Sequence, residues 1–176
     1  VEDALGAESN TATVNLTVQQ VNDAPTADND TATTDEEKAV VIDVLDGDSD
    51  IDMVAGLNAD PNAESISVVL TGGGLTAPTH GAITTDGATI TYTPVKDYNG
   101  PDTFEYYCFD GDVKTKASVS VTVYQVNDAP KAVADAARTN EDTPKVGIDV
   151  LYNDTDVDTG STLNKNVQHS KGDFVI

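Results

Sequence analysis

The sequence holds one cysteine, Cys108, in 176 residues, so no disulfide can form within the chain. Small exported domains without disulfides commonly use a bound metal as their staple. Tryptophan is absent and aromatics make up 5% of the residues. A core must therefore come from Val, Ile, Leu, Ala and a few Tyr. Bases are scarce: 9 Lys and Arg stand against 31 Asp and Glu, for a net charge of −22. That balance excludes nucleic acid as a partner, since binding it needs a basic footprint. An anionic membrane surface repels such a chain. No apolar run reaches membrane-spanning length, which argues against direct insertion. No signal peptide is visible, but the chain starts in mid-pattern and reads as part of something longer, so this says little about export. No long 3.6-residue apolar period marks a helix. The two histidines, His80 and His169, have no partner at zinc-ligand spacing and read as surface turn residues.

Aspartate is abundant, and its placement is regular. Residues 45–52 read LDGDSDID, directly after the apolar run 40–45. Asp46, Asp48, Asp50 and Asp52 stand at every second position. In extended backbone alternate side chains share a side, so these carboxylates converge and repel. A hard cation removes that penalty, and Ca2+ favours several carboxylates in a flexible loop. The stretch returns at 151–158 as LYNDTDVD, with Asp154, Asp156 and Asp158. It is not an EF-hand, which needs Gly at the sixth position and Glu at the twelfth. Counted from Asp46, those positions hold Ile51 and Leu57. Any single acid here is explained as well by an ordinary Asp-rich turn. The recurrence of the whole loop favours metal.

An internal repeat organises the chain. VNDAP occupies residues 21–25 and returns at 126–130. An alternating strand precedes each: Ala12, Val14, Leu16 and Val18, then Ala117, Val119, Val121 and Val123. TDEE at 34–37 matches TNED at 139–142, and IDVL at 42–45 matches residues 148–151. This divides the chain into the end of one unit with its linker (1–23), a complete unit (24–125), and a linker with the start of a third unit (126–176). About 100 residues is an ordinary size for one small domain.

The complete unit reads as all-β. Strands are expected at 27–34, 40–45, 66–70, 82–85, 88–93, 104–108 and 116–124. Asp86-Gly87 looks like a two-residue hairpin turn. Seven short strands suggest an immunoglobulin-like β-sandwich. An insertion at 58–65 lengthens the approach to the third strand. Cys108 alternates with Phe104 and Tyr106 and reads as core. Tyr98 reads as a corner tyrosine packed beneath its loop.

Alternating strand direction assigns the loops to ends. The loop after the second strand (Asp48, Asp50, Asp52) and the loop after the sixth (Asp110) fall at the entry end, beside the linker Asn22-Asp23. Glu36 and Glu37, with Asp97 and Asp102, fall at the exit end. There the linker Asn127-Asp128 leaves and the third unit presents Asp154, Asp156 and Asp158. A calcium ion takes roughly 6–8 oxygens, and this end holds enough for more than one.

The ordered motifs VNDAP, TDEE, VIDVLDGDSDID, HGAITTDGATITYTP, DYNGPDTFEY and FDGD resemble the tandem cadherin-like, or bacterial immunoglobulin-like, repeats of giant bacterial surface adhesins of the RTX and biofilm-associated type. The likeness covers nearly the whole chain. It implies a seven-stranded cadherin-like sandwich with partial flanking repeats, secreted to a Gram-negative cell surface. It also implies extender repeats stiffened by calcium between neighbouring units, with Glu36, Glu37, Asn127 and Asp128 serving the outgoing junction. Asn22, Asp23, Asp48, Asp50 and Asp110 would serve the incoming one. The first loop departs from the commoner form at Asp46-Gly47, where the second has Tyr152-Asn153.

A calcium-stiffened stalk supporting adhesion or biofilm formation is therefore the leading expectation. A glycan- or protein-binding module is the alternative, but the loops 57–65 and 71–79 carry no aromatic for sugar stacking. No constellation supports an enzyme. The neighbouring repeats are the expected partners. The incomplete ends, late strands at one and early strands at the other, are expected to allow self-association by strand exchange.

Overall fold

The computed structural model describes residues 1–2, 4–17, 21–53, 65–158, 160 and 162–163. The insertion expected at 58–65 lies outside these apart from its last residue, as does His169. Seven strands form where alternation predicts them: β1 (Asp30–Asp35), β2 (Val40–Ile42), β3 (Ser67–Val69), β4 (Gly81–Thr85), β5 (Ile90–Pro94), β6 (Gly100–Phe109) and β7 (Lys114–Tyr124). A 3₁₀ turn, Ile51–Met53, closes the Asp-rich loop.

The strands make two sheets, ordered β1-β7-β6-β3 and β2-β5-β4. β1 runs parallel to β7, from Asp30 opposite Val119 to Asp35 opposite Tyr124. The other pairs are antiparallel. The inward faces carry Val68, Phe104, Tyr106, Cys108, Val119, Val121 and Val123 from one sheet and Ile42, Ile90 and Tyr92 from the other. Period-2 alternation places them, because successive strand residues point to opposite faces. Fold class and strand count thus agree with the sequence reading.

Two local expectations are corrected. The turn after β4 has four residues, because Thr85 pairs with Ile90. Asp86 Oδ1 accepts hydrogen bonds from the amides of Ala88 and Thr89, closing the longer turn through its side chain. β6 starts at Gly100, well before Phe104. His80 is half-buried, with its ring stacked on Tyr98 at a centroid distance of 3.9 Å. Tyr98 donates to the Pro101 carbonyl (2.6 Å) and so closes its corner.

The flanks depart further. Residues 11–17 form no strand, and Val14 and Leu16 are exposed. Residues 135–150, which match β1 and β2 in sequence, form none either, and Val146 and Ile148 are exposed. In the complete unit β1 pairs with β7, from the far end of the same unit. Among the described residues neither flank is paired with a strand in this way.

Gly81 lies against a core ring of the neighbouring strand in its own sheet. A Cβ at this position would lie 2.3 Å from the Tyr92 ring. That ring is fully buried, stacks on Phe104 and donates from its hydroxyl to Asp102 (2.9 Å). Gly81→Ala should therefore destabilise the domain by about 1–3 kcal/mol, the usual range for overpacking. A urea melt should show a lower midpoint at unchanged slope.

Candidate metal centre

The exit end gathers acids from three separate parts of the chain. Glu36 follows β1, and its amide donates to the Tyr124 carbonyl at the end of β7 (2.9 Å). Its side chain is buried, at 6% exposure, and Oε1 accepts from the Val126 amide (2.6 Å). Asp128 lies two residues further along the linker. Its amide donates to Asp158 Oδ2 (2.8 Å), and Asp158 Oδ1 accepts from Gln125 (3.0 Å). Carboxylate oxygens of Glu36, Asp128 and Asp158 thereby come within 4.8 Å of one another. A second group joins Glu37, Asp97 and the same Asp128. Glu37 and Asp97 both adopt left-handed backbone, at φ of 61° and 58°, a region that non-glycine residues enter at a cost.

The electrostatics match this crowding. Burial pushes the Asp128 carboxyl up, Glu37, Asp97 and Asp158 add to the push, and Lys96 opposes it. Among the described residues no Lys or Arg forms an ion pair with Glu36, Asp128 or Asp158. The donor set is all oxygen and mostly carboxylate, which suits a hard divalent ion such as calcium.

The entry end repeats part of this geometry. Asn22 donates to Asp110 Oδ2 (3.0 Å), and the Asp23 amide donates to Asp52 Oδ2 (2.7 Å). Asp50 Oδ1 accepts from the Asp52 amide, as Asp156 Oδ1 does from Asp158. Thr26 and Ser49 bridge as Lys131 and Thr155 do. The Asp-rich loop and its linker thus make matching contacts in both units, even though no strand follows Tyr124 among the described residues. Among the described residues, however, no three carboxylates meet at the entry end.

The bacterial cadherin-like domain family matches residues 22–125. The chain belongs to this family. No curated protein matches the chain. Among solved structures, it is similar to an endo-fucoidan hydrolase of glycoside hydrolase family 107, at 13% identity and a TM-score of 0.40. That likeness covers 58% of this chain and 14% of the hydrolase. At that level it says nothing of activity.

Several acids of the cadherin-like domain turn inward. Asp102 was expected with the exit-end ligands, but it sits on β6, two residues before Phe104, and shares the buried face. Oδ1 accepts from the amides of Thr79 and Thr103, and Oδ2 from the His80 amide and the Tyr92 hydroxyl. Burial opposes ionisation there, but the His80 and Thr79 amides, Tyr92 and Thr103 outweigh it and hold the carboxyl below its ordinary range. Asp48 is likewise tied to the domain: Oδ1 accepts from the Asp28 amide and Oδ2 from Tyr106. Its copy Asp154 accepts from the Val133 amide.

Tyr106 is the centre of this inner network. Its hydroxyl lies 2.6 Å from the Val44 carbonyl, 3.0 Å from Asp48 Oδ2 and 3.2 Å from Asp30 Oδ2. Burial pushes Asp30 up to about 6, with the Tyr106 hydrogen bond opposing. Burial likewise pushes the Cys108 thiol up to about 12, which suits a core residue and not a nucleophile.

Of the other expected ligands, Asn127 turns its amide onto the Asp128 carbonyl (2.9 Å) and Asp156 stays within its own loop. The inward role of Asp102 and the presence of Lys96 at the exit end went unread. Asp102 was legible by counting back from Phe104 in steps of two. Lys96, beside Asp97, was legible as a base inside an acidic loop, and it bears on the second exit-end group.

Proposed function

We propose that this cadherin-like domain is a structural segment of an extracellular bacterial adhesin and performs no catalysis. Calcium held at its outgoing junction stiffens the link to the next repeat. One observation carries this reading. Three carboxylates from the end of β1, the linker and the next unit's loop converge within 4.8 Å, one of them buried, with no basic side chain among the described residues paired to them.

Glu36, Asp128 and Asp158 would hold the ion at this group. It would supply the positive charge that cancels their repulsion and would crosslink three segments that otherwise meet through a few hydrogen bonds. The turn from one unit to the next would then be fixed. Without it, the acids repel and the link loosens. Because binding and ordering are coupled, export into calcium-rich surroundings would set the rod.

Calcium titration by calorimetry tests this. Binding heat should appear, with slower proteolysis of the linker around residues 125–130, and a chelator should reverse both. Glu36→Gln retains an oxygen for the Val126 amide but removes the charge, so it should weaken binding at least ~10-fold, or about 1.4 kcal/mol. The variant's melt in chelator should stay close to that of the unmodified chain. No heat, and a linker cut equally fast with and without calcium, would sink the reading.

A further inference from the structure

One exit-end group already contains a cation. Lys96 Nζ lies 2.7 Å from Glu37 Oε1 and 2.6 Å from Asp97 Oδ1. Those carboxylates form a group with Asp128. Lys96 cannot move far from them. It sits on the turn after β5, where the Val95 amide donates to His80 and the Tyr98 amide donates to Val95. It is the chain neighbour of Asp97, whose left-handed backbone forms part of the same turn. The Glu36–Asp128–Asp158 group has no such base among the described residues.

Resting on the calcium reading above, we propose that Lys96 is a tethered cation that competes with a divalent ion for the Glu37–Asp97–Asp128 group, so that the junction loads its two groups in order. The ion enters the Glu36 group first. It enters the second only by displacing the ammonium.

Charge and exposure decide between exclusion and competition. The Lys96 side chain is 72% exposed, and exposed ion pairs hold weakly. A divalent ion on three carboxylates can therefore displace it. The displaced ammonium still stays close, within the roughly 8 Å over which charges act at physiological salt. It then repels the ion that replaced it. Asp128 belongs to both groups, so an ion already in the first further disfavours a second. Both effects weaken the second group more than the first, which Lys96 reaches only through Asp128. The junction would thus respond to calcium over two concentration ranges.

The test is a calorimetric calcium titration of the whole chain, with Lys96→Gln and Lys96→Arg beside it. The phase belonging to this group is the one that Glu37→Gln abolishes. Lys96→Gln should tighten that phase about tenfold or more and shift the tighter phase much less. Lys96→Arg, which keeps the charge, should leave it weak. A metal-free readout accompanies these. At low ionic strength in chelator, Lys96→Gln should melt below the unmodified chain, because three crowded carboxylates lose their counter-charge. If the chain binds calcium but Lys96→Gln leaves the weak phase where it was, the proposal is overturned and the calcium reading stands. If no form of the chain binds calcium, both fall.

Discussion

Asp102→Ala should destabilise the domain by about 3 kcal/mol or more, since each buried donor left without an acceptor costs ~1–3 kcal/mol. Four donors lose their acceptor at once: the amides of Thr79, His80 and Thr103, and the Tyr92 hydroxyl. Water can reach some of the three amides, so the costs do not simply add. The Tyr92 hydroxyl has only the His80 carbonyl left, at 3.3 Å. For a domain this size the midpoint of thermal unfolding should fall by roughly 15 °C. Asp102→Asn matches the size but sets an NH₂ among donors, so it should recover only part of the loss. The loss should be the same in calcium and in chelator, because Asp102 belongs to neither exit-end group. A loss appearing only in calcium would return Asp102 to the ligand set. The Asp102 contribution to the pH dependence has a fixed sign, opposite to that of Asp30 with its raised carboxyl. The folded Asp102 carboxyl is held below the ordinary 3.8, as is that of Asp110. Each therefore adds stability above the unfolded pKa and loses it as pH falls through the folded value. The unmodified domain should weaken below about pH 4, the unfolded carboxylate range, and Asp102→Ala should show a shallower acid limb.

Asp102 also shows where sequence reading succeeded and where it stopped. The strands were legible because each carries a clean alternation, such as Val119, Val121 and Val123 on β7. The ends of the sandwich were legible because alternating direction fixes which loops share an end, and the bonds of Asn22 to Asp110 and of Asp23 to Asp52 join loops placed together in that way. The role of each acid was less legible, because an aspartate reads the same whether it faces a cation or a ring of amides. On β6 the distinction is parity: Asp102 is in step with Phe104, and Asp97 lies before the strand on a turn. Lys96 escaped notice because attention to acids treats a lone base as background. Whether the flanking strands form depends on tertiary pairing, which no local pattern contains, whereas the longer Asp86 turn is closed locally by its own side chain. Loop shape likewise proved local. The loop at 45–52 and its copy at 151–158 make matching hydrogen bonds, although among the described residues strands form behind only the first.

Asp128→Asn should be the most damaging single change for metal binding. Asp128 is the one carboxylate common to both exit-end groups. Loss of one unit charge beside a divalent ion costs roughly 3 kcal/mol even at the dielectric of water, or about a hundredfold in affinity. Glu36→Gln should impair only the tighter phase and Glu37→Gln only the weaker, whereas Asp128→Asn should shift both. The substitution leaves the backbone bond from residue 128 to Asp158 available, so it tests the charge and not the link. In chelator the variant should be at least as well ordered at the linker as the unmodified chain, since Asp128 is pushed up by burial and by Glu37, Asp97 and Asp158 around it. Proteolysis of the linker should thus order the two proteins oppositely: the unmodified chain more resistant in calcium, the variant equal or better without it. If Asp128→Asn shifts a single phase, the two groups are independent sites and not one shared junction.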